Sequence, residues 1–493
     1  MTELPAHWMG LPLGKLAANT KSINPSTFPN ELFELYSVPS FSVGQPDRVR
    51  GSEIKSNKQL VEPGDVLLCK IVPHLNRVWV VSAKKGHRQI GSGEWIVHRS
   101  NGCNPHYLRY LLSAPDFRER FLQTVSGVGG SLMRARPALV KQIEVSIAPH
   151  AEQRRIVAKL DSLSAHSSRA RHELDRIPTL IERYKEAILA KAFSGQLTAD
   201  WRIANPAIRW SHTDASRIHE RRDAYLTGRR GSRLRQLFSA QGCFGTPPSW
   251  LSGHLADVVD LLAGFAFKSS WYQRTGVRLL RGANIAPGKL DWSDEARLST
   301  DRAAEFSEYR LVSGDIVIAM DRPLISGGFK VARVPPDDDG VLLVQRVSRL
   351  RPTTDLDPGY AWHYVNSDVF VRHAMSTATG SDLPHISAND ILSAPIYLPP
   401  LPEQVQIANL LSSAFSSLEL LGCDHSRAVH LLTKFGQATL AKAFRGELIP
   451  QDPNDEPAAK LLERIRAERA EQPQRRGRAG RRKPVGALAN HRQ

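Results

Sequence analysis

Apolar residues recur at alternating steps of four and three along two long stretches of the chain. This spacing is typical of a heptad seam and predicts two long helices, each burying one stripe of side chains against a partner. The first stripe comprises Ile156, Leu160, Leu163, Ala170, Leu174, Ile177, Ile181, Tyr184 and Ile188, and the second comprises Ile407, Leu411, Ala414, Leu418, Leu421, Ala428, Leu432 and Phe435.

The two stretches are copies of each other. Each opens with a Glu-Gln pair, Glu152-Gln153 and Glu403-Gln404, and each closes with Ala-Lys-Ala-Phe-x-Gly-x-Leu, at 190–197 and 441–448. They align without a gap. Pro178 lies inside the first copy, and an interior proline costs a helix about 3 kcal/mol, so we expect a kink or break there.

Short apolar runs separated by turn residues precede each copy. Val61 to Lys70 contains a Pro-Gly-Asp turn that leads into an apolar run, as expected of a buried strand, and Ser313 to Ile318 repeats it. More helical pieces follow at 107–121 and 360–370, and Pro247 to Trp250 repeats Pro5 to Trp8. The chain is therefore predicted to be a tandem duplication of a globular unit followed by a long helix.

The composition favours a polyanionic partner. Sixty-six Lys and Arg residues against 49 Asp and Glu residues give a net charge of +17, which is typical of proteins that bind nucleic acid. The four cysteines are isolated, so neither disulfides nor a zinc site are expected. No apolar run reaches the roughly 18 residues of a membrane span, and no signal peptide is recognisable, so we expect a cytoplasmic protein without membrane contact.

Motifs for catalysis are missing. The sequence contains no phosphate-binding loop for ATP, no dinucleotide-binding turn and no Asn/Asp-Pro-Pro-Tyr/Phe methyltransferase motif. Asp337-Asp338-Asp339 follows two prolines and is interpreted as a solvated turn rather than a metal site. We therefore expect no catalytic residue, no metal and no cofactor in this chain.

The layout resembles the specificity (S) subunit of type I restriction-modification systems. The resemblance rests on the Ala-Lys-Ala-Phe helix ends, on 399–404, and on Gly264 to Ser269 with Arg281 to Ile285, which look like the start of many target-recognition domains of that family. It implies an α+β fold in which two long antiparallel helices, a coiled coil, join and separate two target-recognition domains in a pseudo-two-fold duplication.

The resemblance also implies the boundaries of the domains and the partners. The ranges are 1–149 and 247–399 for the target-recognition domains, 150–198 and 400–450 for the helices, 199–246 for a basic connector, and 451–493 for a short charged helix with a basic tail. The family implies double-stranded DNA, two methyltransferase subunits and restriction subunits as partners. These partners would bring S-adenosylmethionine, ATP and Mg.

Each domain is then expected to read one half of a bipartite DNA site, while the helices set the gap and the complex methylates or cuts. Lys and Arg suit phosphate contacts, and Arg, Lys, Asn and Ser also suit base edges; for each candidate a solvated or structural role is the alternative. The candidates are Lys70, His74, Arg77, Lys84, Arg88, Ser131 and Arg134 in the first domain, and Lys268, Ser269, Arg281, Asn284, Arg322, Lys330 and His385 in the second.

The helix copies supply the candidates for partner binding. These are Glu152, Gln153, Lys191, Phe193, Glu403, Gln404, Lys442 and Phe444. Two other functions remain open on the residues alone. One is a coiled-coil scaffold whose globular domains bind protein, and the other is an enzyme with a nuclease site at Asp116 and Glu119. A salt-sensitive affinity for DNA favours the specificity subunit over the scaffold.

Overall fold

The computed structural model describes residues 5–99, 103–127, 133–226, 246–380, 383–460 and 463. The chain divides into two compact units. The first unit comprises residues 1–174 and 427–493, and the second comprises residues 175–426. Both divisions fall inside the predicted long helices. Each unit therefore contains the start of one long helix and the end of the other, an exchange of helix ends that the sequence pattern did not predict.

The first unit is built from short strands and helices. Its strands are Met9–Pro12, Ser22–Ile23, Leu32–Tyr36, Asp47–Arg50, Lys58–Leu60, Val66–Cys69, Val78–Val80, Arg88–Gly91, Trp95–His98, Val125–Ser126, Arg134–Ala135 and Glu144–Ile147. Its α-helices before the unit boundary are Pro105–Leu111, Pro115–Leu122, Pro137–Val140 and His150–Leu174. The piece predicted as one helix at 107–121 is thus two helices, because Pro115 starts the second one.

The second unit repeats this mixture. Its strands are Leu251–His254, Val259–Ala263, Val277–Leu280, Ile285–Ala286, Lys289–Leu290, Arg297–Leu298, Ile316–Ala319, Leu324–Ile325, Gly328–Phe329, Val331–Arg333, Leu342–Leu343, Val347–Pro352 and Pro395–Leu398. Its helices are Ile177–Phe193, Ala199–Ala204, His212–Leu226, Leu255–Val258, Thr300–Ala304, Pro358–Val365, Asp368–Thr377 and Ala388–Leu392, and Leu401–Phe444 begins in it.

The central strands of the two units correspond. Val66–Cys69 lies between Val78–Val80 and Trp95–His98 in a three-stranded sheet, and both pairs of neighbours are antiparallel. Ile316–Ala319 lies in the same way between Val331–Arg333 and Val347–Pro352. These runs are almost fully buried, as the continuous apolar sequence predicted. A five-stranded sheet flanks the first, in the order Ser22–Ile23, Lys58–Leu60, Arg88–Gly91, Leu32–Tyr36, Asp47–Arg50.

An antiparallel strand pair closes each globular part. Met9–Pro12 pairs with Glu144–Ile147, and Leu251–His254 pairs with Pro395–Leu398. The last strand of each pair leads directly into a long helix. The start of each long helix therefore lies beside the beginning of its own globular domain.

Pro178 interrupts the first long helix, as expected. The helix runs as His150–Leu174 and resumes as Ile177–Phe193, whereas the second runs unbroken over 44 residues as Leu401–Phe444. Proline at the second position of the resumed helix is well tolerated, because the first backbone N–H groups of a helix have no partner within it. The break thus moves the proline from a helix interior to a helix start.

The predicted apolar seam is buried mainly at the helix starts, with Ile181 buried further along the first helix. Ile156 and Leu160 join the core of the first unit, and Ile407 and Leu411 join that of the second. Three other predicted seam residues are about half exposed: Tyr184, Leu421 and Phe435. The prediction of a continuous seam was therefore wrong for these residues, because the ends of the helices bury their stripe against globular domains instead.

Part of the basic connector is packed rather than extended. The helix His212–Leu226 buries Ile218 and lies against Leu255–Val258. Arg217 forms an ion pair with Asp355 at 2.9 Å, and the Trp210 indole donates a hydrogen bond to the Leu398 carbonyl. Residues 199–226 therefore belong to the second unit, since their cations neutralise buried carboxylates there.

The aspartate run at 337–339 and the long helices test two further expectations from the sequence. Asp338 is buried, accepts a hydrogen bond from the Trp292 indole at 3.0 Å and pairs with Arg278. The interpretation of 337–339 as a solvated turn was therefore wrong for Asp338, whose carboxylate stabilises the fold. No helix in the described part of the chain is long and apolar enough to cross a membrane. The predicted charged helix and basic tail lie mostly outside the described residues.

Candidate nucleic-acid interface

A basic cluster lies at the carboxyl end of the central strand in the second unit. The strand ends at Ala319, and the residues after it are held by the loop that follows residue 380. The Arg322 N–H donates to the Pro384 carbonyl at 2.8 Å, and the Ile386 N–H donates to the Met320 carbonyl at 2.9 Å. We define the basic cluster as Asp321, Arg322, Lys330, Arg346 and His385.

Asp321 organises the basic cluster. Its Oδ1 accepts a hydrogen bond from the His385 Nδ1 position at 2.7 Å and pairs with the Arg346 guanidinium at 3.0 Å. The ammonium of Lys330 donates to the Gly282 carbonyl, and burial lowers the pKa of Lys330. One carboxylate therefore orients two donors side by side, and a third cation is fixed by the backbone.

These side chains line an open cavity of 420 Å³ together with Gly282, Ala283 and Leu383. Among the described residues of its lining, three are permanent cations and one is a carboxylate. Arginine donates in a planar fork that matches phosphate oxygens and the edge of guanine. The cavity is thus suited to anionic or hydrogen-bond-accepting groups.

Two arginines of the basic cluster have a left-handed backbone. The φ angle is 45° at Arg322 and 67° at Arg346. Residues other than glycine rarely adopt this conformation, and such strain is concentrated at functional sites. Both side chains are exposed, so the strained backbone presents them to solvent rather than to the core.

The first unit repeats the construction with different side chains. The Val72 N–H donates to the Met133 carbonyl at 3.0 Å, and the Ala135 N–H donates to the Lys70 carbonyl at 2.8 Å. Val72 has φ 48°, as Arg322 has 45° at the equivalent place. Arg134 stands where the second unit has His385, and it pairs with Glu94 at 3.3 Å.

The candidates predicted in the first domain lie in different environments. His74, Lys84 and Arg134 are exposed, and Lys70 and Arg77 are partly buried. Arg88 forms a two-pronged ion pair with Glu31, with one N–O distance of 2.8 Å, and stacks on Phe28. Two of its donor groups are therefore occupied within the fold, and its assignment to DNA stays a prediction. Ser131 lies outside the described residues.

Two candidates in the second domain share a hydrogen-bond network. Asn284 is buried and donates to the carbonyls of Asp291 and Asp294, while its own oxygen accepts from Arg281. Arg281 completes this network through Asp294 at 3.1 Å. The assignment of Asn284 to DNA was wrong, because a buried amide with all its groups paired has nothing left for a ligand. Arg281 is partly exposed, and its assignment stays a prediction. Lys268 and Ser269 are exposed, with the Lys268 ammonium 5.6 Å from the Trp271 ring.

Sequence reasoning missed Arg346 and Asp321. Neither lies in a motif, and Arg346 is far along the chain from Arg322. A signal existed at Asp321-Arg322-Pro323, since a residue before proline is pushed out of the helical region and a polar pair there marks a turn. No comparable pattern indicates Arg346.

The residues predicted to bind a partner are mostly buried inside their own units. Trp8 donates to Glu152 Oε2 at 2.9 Å, and Trp250 donates to Glu403 Oε2 at 3.0 Å. The next residue, Gln153 or Gln404, bonds to backbone groups of its own globular domain. The Glu-Gln pairs therefore fasten each helix start, and their assignment as partner contacts was wrong because no more than 1% of each side chain is exposed.

The helix ends are fastened in the same way. Phe193 packs edge-on against Tyr360 at 5.3 Å, and Phe444 packs against Tyr107 at 5.3 Å. Gly195 and Gly446 follow with φ near +79°, and a Cβ on either would come 2.4 Å from a proline, Pro247 or Pro5. The predicted partner role was wrong for both phenylalanines. Lys191 and Lys442 are exposed.

The described residues contain no group of three or more metal-binding side chains. The chain combines two α+β units of one construction, each with a loop at its central strand end that carries cations. Fold and site together define a duplicated α+β protein with a basic loop in each unit.

Comparison with known proteins finds similarity to one family. The family model described as type I restriction modification DNA specificity domain matches residues 249–422. The EcoAI specificity subunit of Escherichia coli is 24% identical over 494 residues, covering 90% of this chain and 82% of that protein. The EcoKI specificity subunit of Escherichia coli K12 is 26% identical over 357 residues, covering 69% of this chain and 67% of that one.

Solved structures show the same fold. A chain of a type I restriction-modification assembly has a TM-score of 0.67 at 20% identity, covering 90% of this chain and 100% of that one. The HsdS subunit of Thermoanaerobacter tengcongensis has a TM-score of 0.60 at 22% identity, covering 91% of this chain and 100% of that one. The chain is therefore similar along most of its length to specificity subunits of type I restriction-modification systems.

Proposed function

We propose that each unit reads one half of a bipartite site in double-stranded DNA. The observation that carries this proposal is the shared loop at the central strand end, where both units place a strained residue and adjacent cations. A net charge of +17 supports it, because cations that neutralise phosphates supply most of the affinity of such proteins for DNA.

Within the second unit, Arg322 and Arg346 are proposed to contact DNA directly. Asp321 would position Arg346 and His385, which matches the way a buried or shared carboxylate limits the rotation of its donors. In the first unit the proposed contacts are His74, Lys84 and Arg134, all exposed. Lys268 and Ser269 in the second unit are exposed, and they are also proposed to contact DNA.

The long helices are proposed to set the gap between the two half-sites. A helix of 44 residues, such as Leu401–Phe444, is about 66 Å long at 1.5 Å per residue. One turn of DNA is about 34–36 Å, so the helix is long enough to keep two readers more than one turn apart.

Methyltransferase and restriction subunits are the proposed protein partners, and they would bring S-adenosylmethionine, ATP and Mg to a cytoplasmic complex. The long helices carry exposed apolar side chains suited to this docking: Leu180, Tyr184, Leu420, Leu431 and Phe435. Exposed Lys191 and Lys442 lie at the ends of these helices. The docking surface proposed here is therefore the side of the helices, without the buried Glu-Gln pairs.

Selection from a randomised duplex library with the purified full chain tests the proposal. We expect a consensus of two short blocks separated by a fixed gap, with an affinity that falls steeply with salt. Arg322→Ala should make the fall of log affinity with log salt shallower by about one unit of slope. It should also relax the sequence preference in one block of the consensus and leave the other block unchanged. Arg169→Ala, at an exposed position on the first long helix, is the control. A chain with no affinity for DNA, as a scaffold would have, contradicts the proposal.

A further inference from the structure

Each unit exposes an aliphatic side chain at the tip of the loop after its central strand. Leu75 is 52% exposed in the first unit; in the second, Ile325 is 42% exposed beside Leu324, which is 47% exposed. Both lie three residues after the left-handed residue, Val72 or Arg322, and two after the proline that follows it. The exposed aliphatic residue is thus a repeated feature of the duplicated construction.

Both tips are held rigidly. In the second unit the strand Leu324–Ile325 pairs with Gly328–Phe329, and Phe329 is buried against Phe370 at 5.6 Å. In the first unit the Asn76 amide donates to the Leu112 carbonyl at 3.1 Å, and Arg118 donates to the His74 carbonyl at 2.6 Å. Little conformational freedom is therefore left to lose when a ligand meets the tip.

The backbone at the base of each tip is strained. Val72 has φ 48° and ψ 57°, a conformation that is an outlier for a β-branched residue. Asn76, on the other side of Leu75, has φ 42°. The prolines at positions 73 and 323 are buried and anchor the strained residues. The fold thus maintains an unfavourable backbone that keeps an aliphatic residue in solvent.

The surroundings of these tips are basic. Arg322 lies three residues before Ile325, and Lys330 and Arg346 line the adjoining cavity. In the first unit Arg134 pairs through its backbone with Ile71, at the base of the tip. A rigid apolar point surrounded by cations is complementary to DNA, which combines a charged backbone with apolar stacked bases.

We propose that Leu75 and Ile325 are apolar wedges, each of which presses between two stacked base pairs in its half of the DNA site. Aliphatic side chains act in this way in proteins that locally unstack a base step and bend the duplex. This inference rests on the proposed function and deepens it. Neighbouring cations hold the phosphates while the wedge reads how easily a base step opens, so the two halves of the site favour flexible steps.

The test uses the full chain and the duplex selected from the randomised library. 2-Aminopurine, whose fluorescence rises when it is unstacked, replaces one adenine at a time along both blocks. With the wild-type chain we expect one enhanced position in each block. Ile325→Ser should abolish the enhancement in one block and Leu75→Ser in the other. Each should weaken binding about tenfold, because an aliphatic side chain loses its burial against bases.

Matched controls separate the wedge from a general loss of surface apolarity. Val312→Ser in the second unit removes an aliphatic side chain that is 44% exposed, and Val43→Ser in the first removes one that is 75% exposed. Both should leave fluorescence and affinity unchanged. All four variants should keep the wild-type slope of affinity against salt, because no phosphate contact is removed.

The outcomes separate this inference from the proposed function. If the wild-type chain selects no duplex, both fail together. If it selects a bipartite site but Ile325→Ser and Leu75→Ser keep their enhanced fluorescence or wild-type affinity, the wedge alone is overturned. Loss of methyltransferase binding in these variants with unchanged DNA binding overturns it as well, since the tips would then contact protein.

Discussion

The two units fasten the start of a long helix with the same carboxylate but neutralise it differently. Glu403 accepts from Thr198 at 2.6 Å and from the Arg202 guanidinium at 2.5 Å, in addition to the Trp250 indole. Glu152 accepts from the Trp8 indole and from the Gln451 amide at 2.7 Å. One glutamate therefore has a cationic partner, whereas the donors to the other among the described residues are neutral.

This difference shows what the duplication has kept. The position of the carboxylate and its tryptophan partner is the same in both units, while the charge that balances it is not. Burial raises the pKa of Glu152, because its hydrogen-bond donors offset only part of the lost hydration. The same substitution in the two copies should therefore have different consequences.

Removal of the aromatic ring at a helix end should have the largest effect. Phe193→Ala leaves a cavity against Tyr360 and Tyr364, and Phe444→Ala leaves one against Tyr107. Each should destabilise its unit by about 3–5 kcal/mol, the usual cost of a buried phenylalanine, with the larger loss at Phe193. Hydrogen exchange of the helices Pro358–Val365 and Pro105–Leu111 measures the two units separately. Tyr184→Ala, an exposed aromatic, is the control, and equal loss in it would contradict the prediction.

Neutralising the two glutamates sharpens the comparison. Glu403→Gln removes the counter-charge of Arg202 and turns an amide NH2 towards either the Arg202 guanidinium or the Trp250 indole, neither of which accepts a hydrogen bond. It should destabilise the second unit by about 3 kcal/mol. Glu152→Gln should cost the first unit less than about 1 kcal/mol, because Gln451 can rotate its amide and present its oxygen instead. Hydrogen exchange of the peptides that contain Trp8 and Trp250 measures the loss of stability in the first and second unit. Equal losses in both units would show that Arg202 does not determine the difference.

Acid should affect the first unit through His98. This residue is fully buried, and neither ring nitrogen has a hydrogen-bond partner within the described residues. Burial lowers the pKa of His98 from 6.5 to about 4, with a further contribution from Lys141. The unfolded chain then binds more protons below pH 6.5, so stability is complete above that pH and is lost as the pH falls towards 4.

The second unit shows which residue should remove this sensitivity. His98 pairs with Val66, and Leu350 pairs with Ile316 at the equivalent place. His98→Leu changes the free energy of unfolding relative to the wild type, and this change should be about 2 kcal/mol more favourable at pH 5 than at pH 8. Hydrogen exchange of the strand Trp95–His98 at the two pH values measures the gain. The second unit serves as the internal control, and an equal change there would contradict a local cause.

Repetition and periodicity predicted much of this fold. The central strands, the strand after each Pro-Gly-Asp or Ser-Gly-Asp turn and the break near Pro178 all follow from local patterns of apolar residues and proline. The exchange of helix ends does not, because the Ala-Lys-Ala-Phe motif does not indicate which globular domain Phe193 or Phe444 packs against. Only the three-dimensional contact with a tyrosine distinguishes a ring that fastens a helix end from one that faces a second helix.

The sequence predicted the kinds of residue at the candidate site, but it did not predict every residue that forms it. Arg322, Lys330 and His385 were predicted from charge and lie together. Asn284 was predicted from a family motif and is structural, since a motif needed for folding has the same residue types as one needed for binding. Arg346 reaches the site through a left-handed turn between strands, which no linear pattern indicates.

The exchange of helix ends has a consequence for the order in which the protein matures on the ribosome. Phe193 and Thr198 precede the globular part of the second unit, so that unit is complete soon after its strands are synthesised. The first unit contains residues from both ends of the chain and needs Phe444 and Gln451 to cover Tyr107 and Glu152. Although it is translated first, it is finished last, and it waits for nearly the whole chain.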